Sequence, residues 1–299
     1  MRRRSFLLLA CLLVAGWVTA GEGGRPHVLI TNDDGIDAPG IAALVGALKD
    51  AYRITVAAPA VEQSGVGQAI VYRTPVLVEE RDGSDGVKRY AIHATPATCA
   101  RIGIANLAVN DPPVLVLSGI NWGDNVGQSA WISGTLGGAR EAALMRFPAV
   151  AFSAACPRGK EPDFAAAGRV ARAVVDQLLA AGQPQKGQVV KVEIPFPAAE
   201  ARGFRVTRMG LEPPRDQSYA EKPGSHGERL FISSWAPPDH DAPGSDIEAL
   251  VNGFVTITPL TIDQTDYYGI PALSGINWRL PGVPLPLPRP TAPEAEIHP

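Results

Sequence analysis

The sequence predicts an α/β protein built on a mostly parallel, doubly wound sheet with helices covering both faces. Three observations carry that prediction. From His27 onward, short Val- and Ile-rich runs alternate with segments of helical periodicity, the order expected of repeated βαβ units. The run Val114–Leu117 is apolar throughout, as a strand buried on both faces must be. The turns that follow three of the strands are unusually polar, and open parallel sheets carry their ligands at such strand ends.

Each element follows in order. His27–Thr31 reads as the first strand. Pro39–Ala51 reads as a helix, with Pro39 suited to its first turn and Ile41, Leu44, Val45 and Leu48 at helical spacing. Ile54–Ala58 completes the first βαβ unit. Val76–Glu80 and Lys88–His93 flank the turn-rich stretch Arg81–Gly86, which predicts an inserted hairpin. A helix near Ala97–Ala108, the strand Val114–Leu117, a helix near Gly134–Met145 and the strand Ala149–Ser153 bring the parallel strands to four. Phe164–Ala181 is strongly amphipathic and ends at Gly182; Val189–Ile194 follows as a strand. Beyond it the alternation is lost. Strands at Phe204–Arg208, Leu230–Ser233 and Phe254–Thr258 are set among long polar loops, the composition of a protruding or oligomerisation region.

The expected organisation is a domain over residues 21–268, with a core over about 26–200 and an extension over about 201–268, then a proline-rich tail over 269–299. From Pro281 to Pro299, seven of 19 residues are proline, so the tail should be extended and disordered. The pentapeptide at Ser118–Trp122 recurs at Ser274–Trp278, in contexts too different to mark a repeat.

Residues 1–20 read as a secretory leader: Arg2, Arg3 and Arg4, an apolar run over Ser5–Val18, and the small-residue cleavage site Val18-Thr19-Ala20. That run is shorter than the ~20 residues that span a bilayer. Arg3-Arg4-Ser5-Phe6-Leu7 resembles a twin-arginine export signal, and ordinary Sec export fits equally; the very short apolar run before Cys11 argues against lipidation. Either route leads to the periplasm or beyond. Only Cys99 and Cys156 outlast leader removal; their apolar surroundings favour buried free thiols, and two such cysteines give no zinc signature. The chain has 299 residues, 45% hydrophobic and 19% charged, with a net charge of -3, which excludes a disordered chain and a multi-span membrane protein. Lys and Arg cluster only at residues 2–4, so no footprint for duplex nucleic acid is present.

The chemistry is concentrated in four segments. Asn32-Asp33-Asp34-Gly35 follows the first strand, Pro59–Gly65 with Ser64 follows the second, and Ser118–Asn125 follows Val114–Leu117. Adjacent aspartates facing an Asn amide and a Ser hydroxyl make a set of hard oxygen donors, suited to Mg²⁺ or Mn²⁺. Two such carboxylates side by side repel unless a cation lies between them. In Ser133–Glu141 a glycine-rich turn enters a helix whose free N–H groups and dipole suit a phosphate. Metal and anion pocket together are equipment for phosphate ester hydrolysis.

These segments carry a resemblance. Asn32–Ile41, Ala58–Gly65, Ala94–Cys99, Ser118–Gly127, Ile132–Ala142 and Gly244–Leu260 resemble, in order and spacing, the SurE-like (stationary-phase survival protein) metal-dependent 5′-nucleotidases, over roughly residues 26–268. The resemblance implies a Rossmann-like αβα domain of three layers, a C-terminal part that docks between subunits of a homodimer or homotetramer, and one divalent cation per subunit, Mg²⁺ or Mn²⁺. It implies removal of phosphate from nucleoside 5′-monophosphates, with 3′-monophosphates or short polyphosphate as further substrates. Asp33, Asp34, Ser64 and Asn121 would ligate the metal, and Asn125, Ser133, Gly134 and Thr135 would hold the phosphate, with Asn32 and Gly65 at the same site. The cation would polarise a phosphoryl oxygen and activate a water, with Asp33 or Asp34 accepting its proton.

The chain departs from the family pattern at Ala60, where an aspartate is usual, at Thr98 for another, at Ile132 for a tyrosine, and at Lys191 and Glu193 for asparagines. None is an implied metal ligand, but they bear on turnover and substrate preference. A non-catalytic nucleotide- or phosphate-binding protein on the same fold is the competing reading. A metal-using glycosyltransferase would need Asp-x-Asp, and the absence of GxSxG counts against a serine hydrolase. His93, Asp239-His240-Asp241, Trp235 and Tyr267-Tyr268 read as surface or packing residues.

Overall fold

The computed structural model describes residues 24–279, so the expected leader over 1–20 and the proline-rich stretch over 281–299 lie outside the described residues. The chain divides into two units, Met1–Ile262 and Asp263–Pro299. The first contains one large sheet. Its strands are β1 (His27–Thr31), β2 (Arg53–Pro59), β3 (Val78–Arg81), β4 (Lys88–Ile92), β5 (Leu115–Trp122), β6 (Ala149–Ala154), β7 (Gln188–Ile194), β8 (Phe204–Val206) and β11 (Val255–Thr261). A separate antiparallel ribbon pairs β9 (Asp216–Pro223) with β10 (Arg229–Ala236).

The sheet order is β3-β4-β2-β1-β5-β6-β7-β11-β8. From β4 to β7 every pairing is parallel; β3 joins β4 as the antiparallel arm of the expected hairpin, and β11 runs antiparallel to β7. The chain winds outward from β1 in one direction through β2 and from β5 in the other through β6. The crevice at their carboxyl ends is therefore the topological switch point, where open sheets bind ligands.

Helices α1 (Pro39–Leu48) and α4 (Phe164–Ala180) cover one face; α2 (Pro96–Ile102) and α3 (Gly134–Leu144) cover the other. Ile41, Leu44 and Leu48 of α1 pack with Val174 and Val175 of α4 over Val28, Ile30 and Phe152. Opposite them, Cys99 and Leu136 cover Leu29 and Val116. Each such fully buried aliphatic side chain contributes about 1.5–3 kcal/mol. Ser133, Asp163 and Thr95 cap α3, α4 and α2 through side-chain oxygens that accept backbone N–H groups. Cys99 is buried, Cys156 is half-buried, and both are free. Among the described residues no helix is long and apolar enough to cross a membrane.

Three differences from expectation are of note. The helix expected to reach Ala108 stops at Ile102 and widens into a π-type turn, Gly103–Leu107. The run at Val114–Leu117 is the start of a longer strand: β5 continues through Ser118–Trp122, with a register shift against β6 between Ser118 and Asn121. Glycine makes that continuation possible. Gly119 sits at φ +130°, and a Cβ there would stand 2.3 Å from the Phe152 carbonyl oxygen. The third difference is β9, unforeseen because all eight of its residues are exposed and leave no burial pattern to read.

Helix α5 (Asp246–Val251), capped by Ser245, precedes β11. In the second unit a short helix, α6 (Ile270–Ser274), carries Pro271 in its first turn and accepts the Trp278 indole N–H at the Leu273 carbonyl, 2.9 Å away. It falls at the start of the segment read from sequence as a tail.

Gly119→Ala is expected to destabilise the protein by about 3 kcal/mol, because it adds both a left-handed residue and a backbone clash. Urea unfolding measures it; a loss below about 1 kcal/mol, the usual range of a surface change, would refute the packing described here.

Candidate active site

The polar turns after β1, β2 and β5 meet at the switch point. Asn32 is buried, and its side-chain amide donates to the Gly35 carbonyl at 2.8 Å, closing the turn that carries the aspartates. Those aspartates diverge. Asp33, 3% exposed, accepts the Thr135 hydroxyl at the start of α3. Asp34 accepts the Trp122 backbone N–H at 3.0 Å at the end of β5. The loop after β2 is tied in by the Gln63 N–H, which donates to the Asp33 carbonyl at 2.7 Å and so brings Ser64 and Gly65 to the rim. Asn121, on β5, donates its amide to the Gly123 carbonyl at 2.9 Å, which leaves its own side-chain oxygen for another partner.

The electrostatics leave both carboxylates short of compensating charge. Burial pushes the Asp33 carboxyl up to about 7, the Thr135 hydroxyl opposing and the Asp34 charge adding to it. Burial raises Asp34 too, against the Trp122 N–H and with help from Glu62. The Asn32 side-chain oxygen is buried without a hydrogen-bond partner. Among the described residues no three His, Cys, Asp or Glu side chains converge on a metal position. The candidate centre consists instead of two carboxylates with neutral amide and hydroxyl oxygens. Carboxylates destabilised by burial and an orphaned amide oxygen beside them are both relieved by a hard cation, so these residues fit Mg²⁺ or Mn²⁺.

The expected anion pocket is only partly free. Ser133 Oγ accepts the Leu136 N–H at 3.1 Å, which keeps its hydroxyl proton available. Thr135 spends its hydroxyl proton on Asp33, so it acts first as a clamp on a carboxylate. A Cβ at Gly134 would lie 2.9 Å from Asp33 Oδ2, so only glycine lets the first turn of α3 approach that group. Gly137 is equally confined: its Cβ would fall 2.1 Å from the Gly67 carbonyl oxygen. The glycines of this helix therefore serve close packing as well as any anion.

Asn125 is buried and held from both sides, its N–H donating to Glu193 Oε2 and its side-chain amide to Ser153 Oγ, each at 2.9 Å. Glu193 belongs to a buried network that sequence reasoning did not reach. Lys191 Nζ lies 2.6 Å from Asp246 Oδ2 and 3.2 Å from Glu193 Oε1, with all three side chains fully buried. Asp246 also accepts N–H groups of Gly127, Gly210 and Ile247. Burial pulls the Lys191 ammonium down, but Glu193 and Asp246 together outweigh it and hold it above its ordinary value. Burial lifts Glu193 to about 7 despite Lys191, with Asp124 and Asp246 adding to the rise. Asp124 itself is raised by burial. Lys191 and Glu193, seen in sequence only as departures from a pattern, are thus the supports of Asn125. For Asp246 the signals were its place in the Gly244–Leu260 segment and the Ser-Asp at the cap of α5. His93, at an exposed position near Glu79, and Asp239-His240-Asp241, paired with Arg215 and Arg208, take no part.

Two outcomes follow. In cation-free protein the folded state keeps a proton on Asp33 between pH 3.8, the ordinary value, and about 7, so stability falls as pH rises through that window. Asp33→Asn should remove the fall and exceed wild type above pH 7 by on the order of 2 kcal/mol in EDTA. Urea titrations across pH check it; parallel slopes would refute the assignment. Lys191→Met, which strands buried carboxylates, should cost about 3–5 kcal/mol, and Glu193→Gln in the same chain should restore part of that. Thermal unfolding of the single and double variants reads the difference.

Comparison with known proteins matches this arrangement to one family. The family model described as Survival protein SurE matches residues 28–216. The 5′-nucleotidase SurE of Desulfatibacillum aliphaticivorans is 36% identical over 242 residues, which cover 81% of this chain and 94% of that protein. The 5′-nucleotidase SurE of Pelobacter propionicus is 38% identical over 248 residues, covering 81% and 95%. The crystal structure of the SurE protein from Aquifex aeolicus superposes with a TM-score of 0.71 at 32% identity, covering 83% of this chain and 98% of that one. With the switch-point aspartates, the helix turn that clamps one of them and a match spanning four-fifths of its length, the chain belongs to the SurE survival-protein family.

Proposed function

We propose that this chain is a divalent-cation-dependent phosphomonoesterase that removes phosphate from nucleoside 5′-monophosphates. The observation that carries the reading is the pair Asp33 and Asp34 in the turn after β1, both raised by burial, with Asp33 held by Thr135 of α3. The names of the relatives, 5′-nucleotidase, support the reaction class. Asp33, Asp34, Ser64 and Asn121 would hold the cation, which when bound polarises a phosphoryl oxygen and makes a water nucleophilic at neutral pH. The chain's own groups do the rest. Thr135 fixes Asp33 in place. The Ser133 hydroxyl, whose proton is free, stabilises the anionic oxygens. Asp34 is less buried than Asp33, and one of its oxygens is free of the Trp122 N–H, so it is the better placed of the two to take the proton of the attacking water.

The leader supports export to the periplasm, by Sec or twin-arginine transport, and the family supports a homodimer or homotetramer as the working form. Nucleoside 3′-monophosphates and short polyphosphate are secondary substrates on this reading.

The test is phosphate release from a panel of 5′- and 3′-nucleotides after EDTA treatment and after Mg²⁺ or Mn²⁺ is added back. Release should return with the cation, and Asp34→Asn should lower kcat about a hundredfold or more. A folded protein inert with every cation would leave a nucleotide-binding protein as the better description.

A further inference from the structure

A cavity of about 540 Å³ opens beside Asp34, on the α1 and α4 side of the sheet, and its walls include Asp34, Asp37, Ala60, Val61, Trp122 and Phe164. Its size falls within the ~300–1,000 Å³ typical of small-molecule sites. It is not an extension of the anion pocket, because α3 lies on the opposite face of the sheet.

Trp122 is the feature that decides what fits. Its backbone N–H is fixed on Asp34 Oδ2 at 3.0 Å, so the indole stands one residue's reach from the carboxylate. The side chain is 43% exposed although its neighbours along β5 are buried. Phe164, the first residue of α4, meets it edge to face, with ring centroids 5.8 Å apart and planes at 69°. An edge-to-face partner orients an indole and leaves its broad face for a second aromatic ring. The charge of the lining selects further. Among the lining residues Asp34 and Asp37 are carboxylates and none is a cation, so a leaving group that carries its own phosphate is repelled, whereas a neutral one is not.

We propose that this cavity receives the neutral aromatic base of the ester that is cleaved at Asp33 and Asp34, and that Trp122 stacks on it and sets the preference for nucleoside monophosphates over aliphatic phosphates. The proposal rests on the phosphomonoesterase reading and adds to it the subsite and the residue that make the substrate a nucleotide. Trp122 is a specificity-determining residue on this account, and Phe164 is a positioning residue that acts through it.

The experiment measures kcat/KM for adenosine 5′-monophosphate and for glycerol 2-phosphate on the cation-loaded mature protein, for wild type, Trp122→Ala, Trp122→Phe and Phe164→Ala. The ratio of the two values should fall about tenfold in Trp122→Ala, mostly through KM, with Trp122→Phe retaining most of it and Phe164→Ala intermediate. Because the readout is a ratio, a general loss of folded enzyme cancels. A ratio unchanged in Trp122→Ala overturns the proposal, as does a loss shared equally by both esters. If wild type releases phosphate from neither ester, the phosphatase reading has failed by itself, and equilibrium dialysis of adenosine decides the subsite. Binding weakened about tenfold in Trp122→Ala would support it, and equal binding, or none to wild type, would overturn it.

Discussion

A carboxylate 3% exposed at the end of a fully buried strand costs several kcal/mol unless its charge is met, and the rim of this sheet is arranged around that cost at Asp33. The Thr135 hydroxyl comes down on it, the glycine at 134 lets the first turn of α3 come close, and the Gln63 N–H holds the backbone of the same residue from the other loop. None of these groups removes the charge. They fix its position while leaving its ionisation unfavourable, which is the state a hard cation relieves. Preorganisation of that kind makes binding energy available to the ligand instead of to the apo fold.

Adjacency in sequence then divides the labour in space. In the turn after β1 the two side chains part, Asp33 toward α3 and Asp34 toward the end of β5. The first faces donors suited to an anion; the second faces an aromatic wall. A phosphoester laid across the pair would place its charged and its neutral ends on different faces of one sheet, so the two halves of recognition can vary independently.

How much of this could be read beforehand varies with the range of the interaction. The strands at His27–Thr31 and Ala149–Ala154 and the helix from Phe164 were legible because burial on both faces, or on one stripe, leaves a direct trace in hydropathy. The oxygen donors were legible because they follow those strands immediately. Ser118–Trp122 was misread as a loop since Gly, Asn and Ser mark turns in most settings, and only the contact of Gly119 with Phe152 shows why a strand needs them here. Of the ribbon, Leu230–Ser233 in β10 was legible as a strand, whereas β9, exposed throughout, left no pattern. Lys191 and Asp246 are 55 positions apart, and no local rule pairs a buried cation with a helix cap at that distance.

That last separation bears on the order in which the molecule can be made. Asp246 is the group that fixes the Gly127 N–H and neutralises Lys191, and through Lys191 and Glu193 the position of Asn125 depends on it. Residues 1–245 alone contain every oxygen donor at the switch point but leave the buried Lys191 ammonium with Glu193 and without Asp246. A chain emerging from its N-terminus therefore has to close a loop of more than a hundred residues before the loop after β5 is locked. A segment synthesised later acts as a latch on an earlier one, and a nascent chain is held without a locked loop after β5 until that latch engages.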